Sequence, residues 1–191
     1  EREAPAPSGG SSEREGRFAM KVLVVFYSRT GVTKSAAAMV ASVLREAGGS
    51  GVSVDTEEIV DLKDRSGILG YLGAGRDAVV KAEAQVKPLK AKVEDYDLVV
   101  ACTPVWAFTA APAVTTFCKK WGCSARALGF LCTMGGSGDR GAFEAMEAAC
   151  GKKPLATLPL VVKPDKADAM EAFRPKVRRF AELLLKSLSH S

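Results

Sequence analysis

The sequence predicts an α/β fold in which a parallel sheet is covered by helices on both faces. Short apolar runs alternate with amphipathic stretches of helical period, and Gly, Pro or hydroxyl residues separate them. The 191 residues suffice for one such domain with a substantial core but not comfortably for two.

Each element has its own signal. Residues 1–19, EREAPAPSGGSSEREGRFA, are rich in Pro, Gly, Ser and Glu and nearly lack aliphatic side chains. They cannot bury enough surface to offset the entropy of ordering, so a disordered tail is expected there and a domain over residues 20–191. Val22 to Tyr27 is the first strand. From Thr33 to Ala47, apolar residues at Ala36, Val40, Val43, Leu44 and Ala47 recur on one helical face, and Gly48 and Gly49 stop the helix. Val52 to Val60 and Leu98 to Cys102 are the second and third strands. A helix from Pro112 to Trp121 has proline in its first turn and Gly122 beyond its end. Leu128 to Cys132 is the fourth strand, Asp139 to Cys150 a helix stopped by Gly151, and Leu155 to Val162 the fifth strand. The last helix carries its stripe on Val177, Phe180, Leu184 and Leu188, with Pro175 starting or kinking it. Asp61 to Asp97 is too long for a simple connection. Its glycines, Gly67, Gly70, Gly73 and Gly75, and a helical pattern from Arg76 to Gln85 predict an ordered functional loop.

Composition narrows the function. No apolar run approaches the roughly 18 residues of a membrane span, and Val22 to Tyr27 is too short for a secretory leader, so a cytoplasmic protein is expected. Cys102, Cys118, Cys123, Cys132 and Cys150 lack C-x-x-C spacing and companion histidines, which argues against a metal site and for buried, reduced thiols. The only histidine, His190, is next to the end of the sequence, a poor base for nucleophilic catalysis. The formal net charge is +5, with Arg174, Lys176, Arg178, Arg179 and Lys186 crowding the last helix. A solvated helix face explains those residues without nucleic acid.

Three strand ends carry the chemistry. After the first strand, Ser28, Thr30 and Thr33 supply hydroxyls, Gly31 permits close backbone approach, and the next helix offers unpaired amides. That is an arrangement for a phosphate, or else ordinary N-capping by Thr30 or Thr33. It is not a Walker A loop, because Lys34 and Ser35 lack the upstream glycine pattern. The third strand runs into PVWAFTAAP, where Trp106 and Phe108 offer flat apolar surface, and the fourth runs into MGGSGD, where glycines expose amides. Together they suit a planar, hydrogen-bonding ring. Gly136, Gly138 and Gly141 spell G-x-G-x-x-G, and Gly73, Gly75 and Ala78 its looser form. Neither sits where a dinucleotide fingerprint requires, on the first strand of a βαβ unit with an acid at the next strand's end.

The combination resembles the flavodoxin-like family over roughly Lys21 to Leu188. YSRTGVTK is similar to that family's FMN phosphate loop, TPVWAFTAAP to its second, ring-contacting loop, and CTMGGSGD to its third. GILGYLGAGRDA resembles a segment of some single-domain members. The resemblance implies a three-layer sandwich on a five-stranded parallel sheet of order 2-1-3-4-5, in the short form without an insertion in the fifth strand. It also implies FMN as cofactor. Ser28, Thr30, Gly31, Val32 and Thr33 would hold its phosphate, and Pro104, Val105, Trp106 and Phe108 would line one side of the isoalloxazine. Thr133, Gly135, Gly136 and Gly138 would border the other. Val32 stands where the family often has asparagine, leaving only a backbone amide at that position. The implied function is an oxidoreductase passing electrons from NAD(P)H or a protein donor to a quinone or other acceptor, its chemistry on the flavin. A non-enzymatic one-electron carrier is the alternative, and a fold that lost FMN and serves as an interaction module is a third reading. Positive potential stabilises a reduced, anionic flavin and attracts anionic partners, which favours the reductase. A homo-oligomer is left open.

Overall fold

The computed structural model describes residues 20–62, 83–162 and 170–189. The expected tail, 1–19, lies outside the described residues, as does most of the expected helix of the 61–97 segment.

In strand β1 (Met20–Phe26), Val22 and Val24 turn to one face of the sheet and Leu23 and Val25 to the other, all fully buried. A strand buried on both faces needs helices on both, and the alternation of one residue per face repeats in its neighbours. The elements that follow are α1 (Val32–Gly48), β2 (Val52–Glu58), β3 (Leu98–Trp106), β4 (Thr109–Ala110) and α2 (Pro112–Lys120). After them come β5 (Leu128–Met134), α3 (Asp139–Cys150), β6 (Ala156–Val161) and α4 (Arg174–Leu188). Strands pair in parallel in the order β2-β1-β3-β5-β6, while β4 folds back antiparallel on β3. Counting the parallel strands alone, this is the expected order 2-1-3-4-5.

Helices α1 and α4 cover Val22, Val24, Leu98, Val100 and Cys102 on one face. Helices α2 and α3 cover Leu23, Val25, Val99, Ala101, Phe130 and Cys132 on the other. In α4, Val177, Phe180, Ala181 and Leu184 form the buried stripe, and Pro175 occupies its first turn, where no backbone donor is needed. Truncating a fully buried leucine such as Leu184 to alanine typically costs about 2–5 kcal/mol, so these stripes, rather than helix propensity, hold the layers together.

Two local findings differ from the sequence expectation. Strand β3 does not stop at Cys102 but runs to Trp106, with Pro104 in register opposite Thr133 of β5. Proline forfeits one donor, yet its fixed φ suits extended backbone at a strand's end. In the 61–97 segment, Glu83–Gln85 is not helical. Instead Asp61 pairs antiparallel with Val86, with Leu62 N–H donating to Gln85 O and Lys87 N–H to Val60 O. The segment's two ends are thereby tied beside β2.

Candidate functional site

Ligands of open parallel sheets bind beyond the strands' carboxyl ends where neighbouring connections diverge, here between β1 and β3. A cleft of about 400 Å³ lies there, within the roughly 300–1,000 Å³ usual for small-molecule sites.

The first wall is the turn from β1 into α1. Ser28 Oγ accepts the Gly31 N–H at 3.1 Å, closing the turn, and Gly31 caps the helix with φ at +88°. Gly31 O then receives both the Ser35 N–H and the Ser35 hydroxyl. The amides of Val32, Thr33 and Lys34 have no partner within the helix, no side chain caps them, and no acid sits in the first turn. The helix therefore presents donors and the positive end of its dipole to the cleft. Arg29 stands on the same wall, and Lys34 is turned aside to Glu58 at 3.5 Å.

The second wall is the end of β3. The Trp106 indole meets the Tyr27 ring edge-on, with centroids 5.5 Å apart and planes at 82°, which fixes its direction. Beyond it the chain reverses through Ala107 and Phe108, both at positive φ, 48° and 65°, and pairs Thr109 and Ala110 back on Trp106 and Val105. Side chains at positive φ are strained, so something must hold this turn. Helix α3 does. A Cβ on Gly141 would stand 2.2 Å from Phe108 O, and one on Gly138 would stand 2.9 Å from Phe108 Cα and 2.7 Å from Val105 Cγ1. The glycines that spell a dinucleotide fingerprint thus serve close packing of helix on turn. Thr103 clasps the base of the same loop: its Oγ1 donates to Pro104 O and accepts the Ala111 N–H.

The third wall is the end of β5. Thr133 Oγ1 lies 2.8 Å from Thr33 Oγ1, joining this loop to the first, and Met134 and Gly135 follow on the rim. The structure brings Thr30, Val32, Thr33, Pro104, Val105, Trp106, Thr133 and Gly135 together on the cleft. Ser28 and Gly31 shape the first turn from behind; Phe108 and Gly138 meet at the start of α3, and Gly136 is exposed in the loop after Gly135. Sequence reasoning missed Arg29, Met134 and Val162, which also line it. Arg29 was visible as a charge inside the phosphate-like loop; Val162 had no signal beyond ending a strand.

Burial disfavours the thiolate form of both cysteines below the cleft. Burial, helped by neighbouring Cys132, pushes the Cys102 thiol far up, and burial with the Asp139 carboxylate pushes Cys132 up to about 12. Among the described residues no group of three or more His, Cys, Asp or Glu is placed to hold a metal, and no helix is long and apolar enough to cross a membrane.

Residues 20–149 match the family model of the NADPH-dependent FMN reductases. The chain belongs to that family. It is a flavodoxin-like flavoprotein whose cofactor is FMN. Solved structures share the fold. A Bacteroides uniformis protein assigned as a flavoprotein is 20% identical, with 86% of this chain and 99% of that one covered and a TM-score of 0.65. A Lactobacillus acidophilus flavoprotein in complex with FMN is 16% identical, with 80% and 99% covered and a TM-score of 0.57. A short-chain flavodoxin associated with a bacterial microcompartment is 15% identical, with 88% and 99% covered and a TM-score of 0.55. No curated protein matches the chain. The cleft of this FMN reductase family member suits a flavin mononucleotide on its own chemistry. Unpaired amides at the α1 N-terminus are placed to donate to a phosphate, and Gly31 has open space where a side chain would stand. A flat indole is held rigid at the opposite wall.

Proposed function

We propose that the protein is an FMN-dependent oxidoreductase that takes electrons from NADPH and passes them to a quinone or another small acceptor. The observation that carries this reading is the convergence of the three loops on one cleft, with an uncompensated helix N-terminus at one end and the Trp106 indole at the other. When bound, FMN would supply the redox chemistry between donor and acceptor.

The protein's part is binding, orientation and shielding. The amides of Val32 and Thr33, with the turn built by Ser28, Thr30 and Gly31, hold the phosphate. Val32 contributes its amide alone, so the load falls on the helix dipole and on the Thr33 hydroxyl. Pro104, Val105 and Trp106 cover one side of the isoalloxazine and exclude water from it. Thr133, Gly135 and Gly136 border the other, while Gly138 packs on Val105 and Phe108 and keeps the second loop in place. Arg29 at the cleft and the net charge of +5 favour an anionic donor such as a nicotinamide phosphate.

An anaerobic titration of purified, FMN-loaded protein tests the reading. NADPH should bleach the flavin absorbance, and a quinone should restore it. Protein that neither carries nor takes up FMN would overturn the proposal. Flavin that is bleached by photoreduction but not by NADPH would assign the protein to one-electron carriage instead.

A further inference from the structure

We infer that Thr33 and Thr133 form a two-hydroxyl relay in which Thr133, on the third loop, positions the Thr33 hydroxyl to donate to the FMN phosphate without touching it. This rests on the flavin reading above and assigns Thr133 a task at the phosphate end of the cleft as well as at the ring.

The two oxygens are 2.8 Å apart across 100 residues of sequence, and the residues are only 2% and 4% exposed. Each hydroxyl has one proton and two lone pairs. Their mutual bond uses one of the two protons, so the other must find an acceptor, and none in the described protein is bonded to either oxygen. Thr33 stands in the first turn of α1, among the amides that converge on the cleft. An anion held there is the strongest acceptor within reach of its proton. With that proton committed outward, the Thr33 oxygen accepts from Thr133, and the direction of the chain is fixed as Thr133 to Thr33 to phosphate. Each bond polarises the next, so the donor behind Thr33 strengthens the one in front.

The anchor is rigid. Thr133 lies in β5, paired on one side with Pro104 of β3 and on the other with Leu160 of β6, and a β-branched side chain on a strand has restricted χ1 freedom. Thr33 by contrast sits at a helix terminus, where backbone groups are least constrained. The bond therefore transmits the sheet's rigidity to the phosphate turn, which lacks a side-chain cap of its own. A plain core contact between two hydroxyls makes a different prediction, because it affects every ligand of the cleft alike.

Equilibrium titrations with FMN and with riboflavin, the same ring without the phosphate, separate the two. Thr33→Val should weaken FMN binding by about tenfold to a hundredfold, as expected for loss of a hydrogen bond to a charged group. Thr133→Val, with Thr133→Ala as a second variant should the first not fold, should weaken FMN by about threefold to tenfold, because the lost bond is neutral. Riboflavin binding should change by less than about twofold in Thr33→Val and should weaken clearly less than FMN binding in the Thr133 variants, which lose only the ring contact for that ligand, and Thr133→Ser should restore FMN binding, since it keeps the hydroxyl. The double variant should lose less FMN affinity than the two single losses combined, because at the phosphate Thr133 acts through Thr33. Equal loss of FMN and riboflavin in the Thr133 variants, or additive losses in the double variant, would overturn the relay. Wild-type protein that binds neither ligand would instead remove the flavin reading itself.

Discussion

The phosphate turn and the aromatic turn both use positive φ, but they meet its cost in opposite ways. At Ser28–Val32 the strained position is itself glycine: Gly31 has φ at +88°, and nothing lies within 4 Å of where its Cβ would be. Glycine is needed there for conformation. At Trp106–Thr109 the strained positions carry side chains, Ala107 and Phe108, and the glycines stand across the interface on α3. Gly141 is needed for space, because helix meets backbone carbonyl, and Gly138, with φ at +115°, serves both needs. A turn that must show bare amides to an anion removes its own side chain. A turn that must present an aromatic wall keeps its side chains and has its partner give way.

Substitutions separate the two cases. Gly141→Ala should have the largest effect, since its Cβ meets a backbone carbonyl that no rotamer can move. A loss of about 1–3 kcal/mol in urea unfolding, with a changed near-ultraviolet signal from displaced Trp106, is expected. Gly31→Ala should cost about 1–2 kcal/mol from conformation alone and leave the tryptophan signal intact. Ala107→Gly runs the other way. Relief of the turn's strain should outweigh the added freedom of the unfolded chain and raise stability by about 0.5 kcal/mol, read as a small increase in the urea midpoint.

The smallest effect lies away from both turns, where α1 meets α4. The Arg174 hydrogen bond, then Ser42, hold the Glu46 carboxyl below its ordinary value. A carboxylate lowered in the folded state stabilises fully above its unfolded pKa, and that contribution fades as pH falls through the folded value. Both side chains are well exposed, so acid titration of Glu46→Gln should run only slightly flatter than wild type below about pH 4.5.

The sheet order was legible because two-faced burial writes itself as unbroken apolar runs such as Val22–Phe26, and because glycines mark the helix ends. The first loop was legible for the same local reason: Gly31 and its neighbours signal one turn. The β3 extension was not, because Pro104 reads as a strand breaker while the pairing with Thr133 that keeps it in the sheet is remote in sequence. The task of Gly138 and Gly141 was hidden likewise, since the atoms that exclude a side chain there belong to Val105 and Phe108. The Thr33–Thr133 bond spans the chain, and no periodicity announces it. Phe108 was expected on the ring wall; its positive φ and its packing on Gly138 depend on a hairpin too short to leave a pattern.

Thr103 gives the second loop a fixed base that bears on how such a protein diversifies. One hydroxyl joins Pro104 to Ala111, so the loop's two ends are fastened to each other at a buried point of the sheet. What lies between them can change while that seam stays shut, so long as Gly138 and Gly141 still meet the turn. Descendants of one scaffold could then try new acceptors by rewriting the turn together with the start of α3.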